Sequence, residues 1–297
     1  MFKLNKPILK TLLISLITSV FLFLFCKFFV IDVARVDSLS MSPKLKLNQM
    51  VFVRLLTFFS SKLKSEDIVQ VLLPLTKEDT VLQKGLFFKL IIGLPGDTVV
   101  IRKSQVFING KLADINKDLL HNFVIKTKLQ KDSVIFDSLN IAEKYLIDDS
   151  CAYMVTLTNT QFADLKSKGI TIKEHREDSA LYDEAIFPNN LNIKWNKDFF
   201  GPLYIPKKGD LIKLDTANFN YYKRITGNFA GENLSIEGNK ILLNASEVVS
   251  SYIIKQDYYF VIGNNFDNSI DSRYWGPIPK KKIKAKCFSH SANPINK

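Results

Sequence analysis

The sequence predicts a mainly β protein on a single N-terminal transmembrane helix, with an α+β lobe inserted into its β-rich body. Three observations lead there. An apolar run follows three lysines at the N-terminus. Short β-branched and aromatic runs with turn punctuation recur from Asp32 onward. Between 112 and 199 the texture turns polar and mixed, and the strand pattern returns after it. The chain thus divides into a stub and anchor at 1–31, a first body segment at 32–111, the insert at 112–199, and a second body segment with a basic tail at 200–297.

The uncharged core between Lys10 and Lys27 is 16 residues long, a little short of the ~20 that span a bilayer as a helix. Both lysines can snorkel, and Phe28 to Ile31 extend the apolar stretch, so the run reaches across. A cleaved signal peptide is the competing reading. Bulky aromatics, rather than a small-x-small pair, follow the core and favour an uncleaved anchor. Lys3, Lys6 and Lys10 outnumber the basic residues just after the run, which predicts the N-terminus in the cytoplasm and the body outside. No second stretch of comparable length follows.

In the body, Met50 to Val53, Asp67 to Leu73 and Tyr258 to Ile262 have the length and composition of strands. Val99 to Ile108 reads as one strand entering a hairpin at Asn109-Gly110, a pair suited to the two φ > 0 positions of a type I′ turn. Leu203 to Ile205 and Leu211 to Leu214 flank a turn at Pro206 to Asp210.

The net charge of +12 comes from lysines spread through the chain, with one dense run from Lys280 to Lys286. A nucleic-acid reading wants Arg and Lys on one recognisable element, so no nucleic acid is expected. The run reads first as a solvated strand or tail, and second as a surface attracted to anionic lipid. Of three cysteines, Cys26 lies in the apolar segment, so only Cys151 and Cys287 can meet outside a membrane. With no C-x-x-C, H-E-x-x-H or Cys/His cluster, neither a metal nor another cofactor is expected.

A hydrolase on this chain needs an activated nucleophile. His121 and His175 fall in the insert and His290 in the tail; none has a motif-like context, and each is expected at the surface. A lysine is the alternative base. It works near neutral pH only where desolvation disfavours its charged form. Lys89, within Leu86-Phe87-Phe88-Lys89-Leu90-Ile91-Ile92, fits, and strand alternation puts Phe87 and Ile91 on its face. On this stretch alone, an edge lysine that blunts aggregation fits equally well.

Three blocks decide between them. Ser38-Leu39-Ser40-Met41-Ser42-Pro43 resembles the S-x-S-M-x-P box of bacterial type I signal peptidases. Lys89 to Asp97, KLIIGLPGD, is similar to the lysine box of that family. Asp267 to Gly276, DNSIDSRYWG, resembles its last box. The resemblance covers about 8–110 and 200–287, and WNKDFFGPLYIPKKGD is similar to a long-insert subgroup. It implies a signal-peptidase-type β-rich catalytic core and a serine endopeptidase acting by a Ser/Lys dyad. Ser40 would be nucleophile and Lys89 general base. The Ser38 hydroxyl and the Ser40 backbone N–H would form the oxyanion hole, Ser269 would aim the lysine, and Asp271 and Arg273 would be a supporting ion pair. Val36, Met41, Leu45 and Phe88 would line shallow pockets for the small residues before the cut.

The partners so implied are preproteins and membrane lipid, and the location is the bacterial inner membrane, single-pass. Asp37 and Lys44 stand where the family usually has Pro and Thr, Leu90 where it has Arg, and Asn264 and Phe266 where it has Asp and Arg. Those departures sustain two alternatives: a non-catalytic membrane-anchored binding protein on the same fold, and a dedicated processing protease of narrow substrate range.

Overall fold

Residues 6–29, 31–55, 62–72, 85–126, 136, 141, 144–148, 152–174, 178–179, 181–227, 231–238 and 240–289 are described by the computed structural model. The apolar run forms one helix, Lys6–Phe29 (α1). At 1.5 Å per residue its 24 residues reach about 36 Å, more than the ~30 Å of a bilayer's hydrocarbon core. Between Pro7 and Phe25 none of it is buried against the body. An apolar helix exposed on every side needs lipid around it.

The body follows as Ile31–Arg35 (β1), Met50–Leu55 (β2), Ile68–Leu72 (β3), Leu86–Gly93 (β4), Thr98–Arg102 (β5), Gln105–Ile108 (β6) and Lys111–Leu112 (β7). The insert supplies Leu120–Lys126 (β8), Lys144–Asp148 (β9), Ala152–Thr158 (β10), helix Asn159–Ser167 (α2) and Ile172–Glu174 (β11). Phe199–Tyr204 (β12) re-enters the body. It is followed by Leu211–Lys213 (β13), helix Phe219–Ile225 (α3), Leu234–Glu237 (β14), Lys240–Leu243 (β15), Glu247–Val248 (β16) and Ser251–Ile253 (β17). Tyr258–Ile262 (β18), helix Ser272–Trp275 (α4), Ile278–Pro279 (β19) and Ile283–Ser289 (β20) complete the described chain.

Besides the small sheets β13-β17 and β14-β15-β16, two larger sheets form the body. A seven-stranded sheet runs β1-β2-β20-β3-β4-β18-β19, and a four-stranded one runs β12-β5-β6-β7. Alternation along β4 splits its side chains between two cores. Phe88, Leu90 and Ile92 join the main core with Val53, Val99, Phe200 and Phe260. Ile91 lies in a second core with Val69, Val261 and Trp275, and Phe87 packs against it. The insert is an α+β lobe, a sheet ordered β11-β8-β10-β9 under α2. Its own core includes Phe123, Phe136, Val155 and Leu165. A capping box starts α2: Thr158 accepts from the Gln161 N–H while Gln161 accepts from the Thr158 N–H.

Two expectations need correction. The run Val99 to Ile108 is two strands, because Lys103 and Ser104 turn the chain with φ of 51° and 61°. Neither residue announces a turn. Buried Ser104 is held from outside the hairpin: its N–H donates to the Asp198 carbonyl at 3.0 Å and its hydroxyl to Asp198 Oδ1 at 2.6 Å. The expected turn at Asn109-Gly110 forms with φ of 52° and 78°. His121 is buried rather than exposed, on β8 against the Phe266 ring. His175, His290 and Cys151 lie outside the described residues. Cys287 is buried on β20, and Lys286 beside it pairs with Asp67 at 2.6 Å.

Because Pro7–Phe25 of α1 is not buried against the body, removing residues 1–30 is expected to leave the body's melting temperature within about 2 °C of the full chain in the same detergent. Differential scanning calorimetry of both forms checks this, and a fall of 10 °C would mean that the anchor is part of the fold.

Candidate active site

Ser40 sits in the one-turn 3-10 helix Leu39–Met41, which the chain enters through extended Ser38. The turn is tied down from several sides. Ser42 N–H donates to the Leu39 carbonyl at 2.9 Å, Asn265 N–H donates to the Ser40 carbonyl at 3.0 Å, and Met41 is buried in the main core. Ser40 is 7% exposed.

Lys89, 2% exposed, reaches it from the middle of β4. Its Nζ lies 2.8 Å from Ser40 Oγ and 2.9 Å from Ser269 Oγ, and Ser38 Oγ is 3.0 Å from Ser40 Oγ. The Trp275 ring stands 6.0 Å from the amine. Burial brings the Lys89 pKa down from 10.5 to about 8; Asp271 opposes the shift and Arg273 adds to it. An amine poised there is neutral often enough near pH 8 to accept a hydroxyl proton, while its N–H groups still donate to Ser269.

Asp271 and Arg273 frame this group from beneath, both fully buried. Arg273 Nε donates to Asp271 Oδ1 and its Nη2 to Asp271 Oδ2, each at 2.9 Å. Nη2 also donates to the Phe266 carbonyl at 2.5 Å, and the guanidinium lies 3.8 Å from the Phe266 ring centre. Burial alone would raise the Asp271 carboxyl; Arg273, Lys89 and the Gly263 N–H hold it below its usual range. Asp271 also accepts from the Gly263 N–H at 3.0 Å and caps α4 through the Arg273 N–H. Gly263 is the hinge pin of the arrangement. A Cβ there would lie 2.2 Å from Ser269 Oγ and 2.5 Å from the Ser40 carbonyl oxygen, so no side chain fits.

The structure thus brings Ser38, Ser40, Lys89, Ser269, Asp271 and Arg273 together. The cleft beside Ser40, about 210 Å³, is lined by Ser38, Leu39, Ser40, Phe87, Lys89, Asn268, Ile270 and Trp275. Val36, Met41, Leu45 and Phe88 are packed in the main core. For Phe88 the reason is the pleat, since the residue next to Lys89 faces away from it. Phe87, two positions away, was the one that period indicated. Asn268 and Ile270 lie within the Asp267 to Gly276 block, which assigned them no role.

The departures around the boxes have partners. Asp37 pairs with Arg35 at 2.7 Å and Lys44 with Asp118 at 3.3 Å. Asn264 Nδ2 donates to the carbonyls of Ser42 and Asp118, both at 3.0 Å, tying the nucleophile turn to the edge of the insert.

A family model described as signal peptidase, peptidase S26, matches residues 9–144 and 245–290. Signal peptidase I of Buchnera aphidicola subsp. Acyrthosiphon pisum is 25% identical over 215 residues, covering 66% of this chain and 62% of the relative. Signal peptidase I of Bacillus amyloliquefaciens is 35% identical over 126 residues, 35% of this chain and 64% of the relative. In Buchnera aphidicola subsp. Schizaphis graminum, signal peptidase I is 21% identical over 292 residues, 95% of this chain and 74% of the relative. The chain spans about three fifths of the length of the first of these.

The depressed lysine pKa carries a stability consequence. Between pH 8 and 10.5 the unfolded chain binds a proton that folded Lys89 has released, so folding stability should rise with pH across that window. The full rise corresponds to about 3 kcal/mol. In Lys89→Met that rise should vanish. Thermal melts of both proteins at pH 7, 8.5 and 10 check this; parallel pH dependence in the two would contradict the depressed value.

Proposed function

The chain belongs to the signal peptidase family, peptidase S26, and from that premise we propose that it is a membrane-anchored serine endopeptidase that removes N-terminal signal peptides from exported preproteins. The observation that carries the reading is the buried Lys89 amine at 2.8 Å from the Ser40 hydroxyl. A binding protein on the same fold would keep a desolvated lysine with no use for it.

The geometry supports the following steps. Neutral Lys89 takes the Ser40 proton as Oγ attacks the scissile carbonyl carbon, and the carbonyl electrons move onto oxygen. Ser38, which can donate to Ser40 Oγ at rest, is released to donate to that oxyanion together with the Ser40 N–H. The lysine ammonium then gives its proton to the leaving amine as the C–N bond breaks, leaving Ser40 acylated. A water deprotonated by Lys89 attacks the ester, the Ser40–acyl bond breaks, and the proton returns to Oγ. Ser269 keeps the amine pointed at Ser40 throughout.

The cleft is small and mostly apolar, with Leu39 and Ile270 exposed at its rim. Small side chains before the cut suit it better than large ones. The anchor would hold the body at the outer face of the cytoplasmic membrane, the N-terminus inside. Val33, Met50, Phe52 and Phe288, exposed on the sheet edge next to α1, would rest against lipid.

With detergent-purified full chain and a preprotein carrying an Ala-x-Ala site, cleavage after the final Ala is expected. Ser40→Ala should abolish it, Lys89→Ala should lower kcat by at least about 10⁴-fold, and full activity in Lys89→Ala would overturn the dyad. The rate should climb with pH through about 8 as Lys89 loses its proton, since the ammonium cannot act as base. Gly263→Ala, which drives a methyl into Ser269 and the Ser40 carbonyl, should cost about 100-fold in kcat. A Gly263→Ala protein with parental kcat would show that the serines need no such support.

A further inference from the structure

We infer that Asn122, on the inserted lobe, is a positioning residue for the peptide-binding cleft, holding Asn268 so that its free carbonyl lone pair accepts a backbone N–H of an extended substrate. Among the described residues, Asn268 is the one amide side chain lining the cleft beside Ser40 and Lys89, and it is exposed. Strand β8 of the insert runs against the loop that carries it. Leu120 N–H donates to the Asn264 carbonyl and Phe266 N–H to the Leu120 carbonyl, each at 2.9 Å, so Leu120 bridges Asn265 in parallel. Two residues on, Asn122 N–H donates to Asp267 Oδ2 at 2.6 Å.

The two amides then pair face to face. Asn122 Nδ2 donates to Asn268 Oδ1 at 3.1 Å, and Asn268 Nδ2 donates back to Asn122 Oδ1 at 3.2 Å. The second Asn268 Nδ2 proton goes to Asn265 Oδ1 at 3.1 Å. Thr156 on β10, directly opposite Asn122 in the register, donates to Asn122 Oδ1 at 2.9 Å and fixes which way that amide faces. A carboxamide has two donor protons and two acceptor lone pairs. Both Asn268 protons are committed and one lone pair is taken, so what remains toward the cleft is an acceptor. An extended peptide offers N–H donors at regular spacing. The insert therefore has a function at the active site, although it contributes no residue to the dyad.

The proposal rests on the peptidase reading, and its test separates the two. The full chain in detergent, with Ser40→Ala to hold an uncut peptide spanning an Ala-x-Ala site, gives a reference affinity by fluorescence anisotropy. Asn268→Ala and Asn122→Ala should each weaken binding about five- to tenfold, the worth of one hydrogen bond. The double variant should lose no more than Asn268→Ala alone. In the Ser40-containing chain both substitutions should raise KM and leave kcat and the rise through pH 8 in place. Parental affinity in Asn122→Ala, or losses that multiply in the double variant, would overturn the assignment. If Asn122→Ala fails to fold, Thr156→Val removes only the hydroxyl that orients it and should loosen binding about two- to threefold; an unchanged affinity there is the contrary result. A chain that binds the peptide without cutting it would overturn the peptidase reading, while the affinity ratios still decide the role of Asn122.

Discussion

A lysine amine held away from water between two serine hydroxyls is the constraint on which the rest of this structure depends. Water is kept from it by placement on the inner face of a central strand, with Phe87 and Ile91 at period two and Trp275 across the gap. A charge in that position is costly, and the protein meets the cost by letting the amine go neutral rather than by giving it a carboxylate partner. Asp271 is near enough to oppose the shift, yet its two oxygens are occupied by Arg273, the Gly263 N–H and the cap of α4. The ion pair beneath the site therefore neutralises itself and leaves the lysine free to act as a base.

That arrangement requires three distant segments to meet within a few ångströms. The Ser40 turn follows α1, Lys89 sits on β4, and Ser269 comes from the loop before α4. Gly263 lets them close: its missing side chain is the space in which Ser269 and the Ser40 carbonyl approach one another. Arg273 does the complementary work by gathering the carbonyls of Phe266 and Ser269 with Asp271. The insert is fastened to the same loop through Leu120, Asn122 and Asn264, so it braces one wall of the cleft.

How much of this could be read from the sequence depended on whether the information was local. The strands β2, β3, β4 and β18 are local, written in β-branched and aromatic runs, and they form where expected. Ser38, Ser40, Lys89, Ser269, Asp271 and Arg273, which the structure brings together, lie in short blocks whose spacing is distinctive. Val36, Met41, Leu45 and Phe88, which the resemblance names as pocket lining, pack in the main core, and on β4 Phe88 faces away from Lys89. His121 looked like a surface residue because its cover, the Phe266 ring, arrives from 145 residues along the chain. The turn at Lys103-Ser104 was invisible for the same reason, being held by Asp198 rather than by a glycine. Asn122 and Asn268 are 146 positions apart, and no local pattern links them.

The most direct test is a titration of the lysine itself. With lysine labelled by ¹³C at Cε, the full chain in detergent should show a resonance that titrates near pH 8 and is absent from Lys89→Met. A Lys89 signal that titrates at the ordinary lysine value of about 10.4 would leave Ser40 without a base and contradict the account.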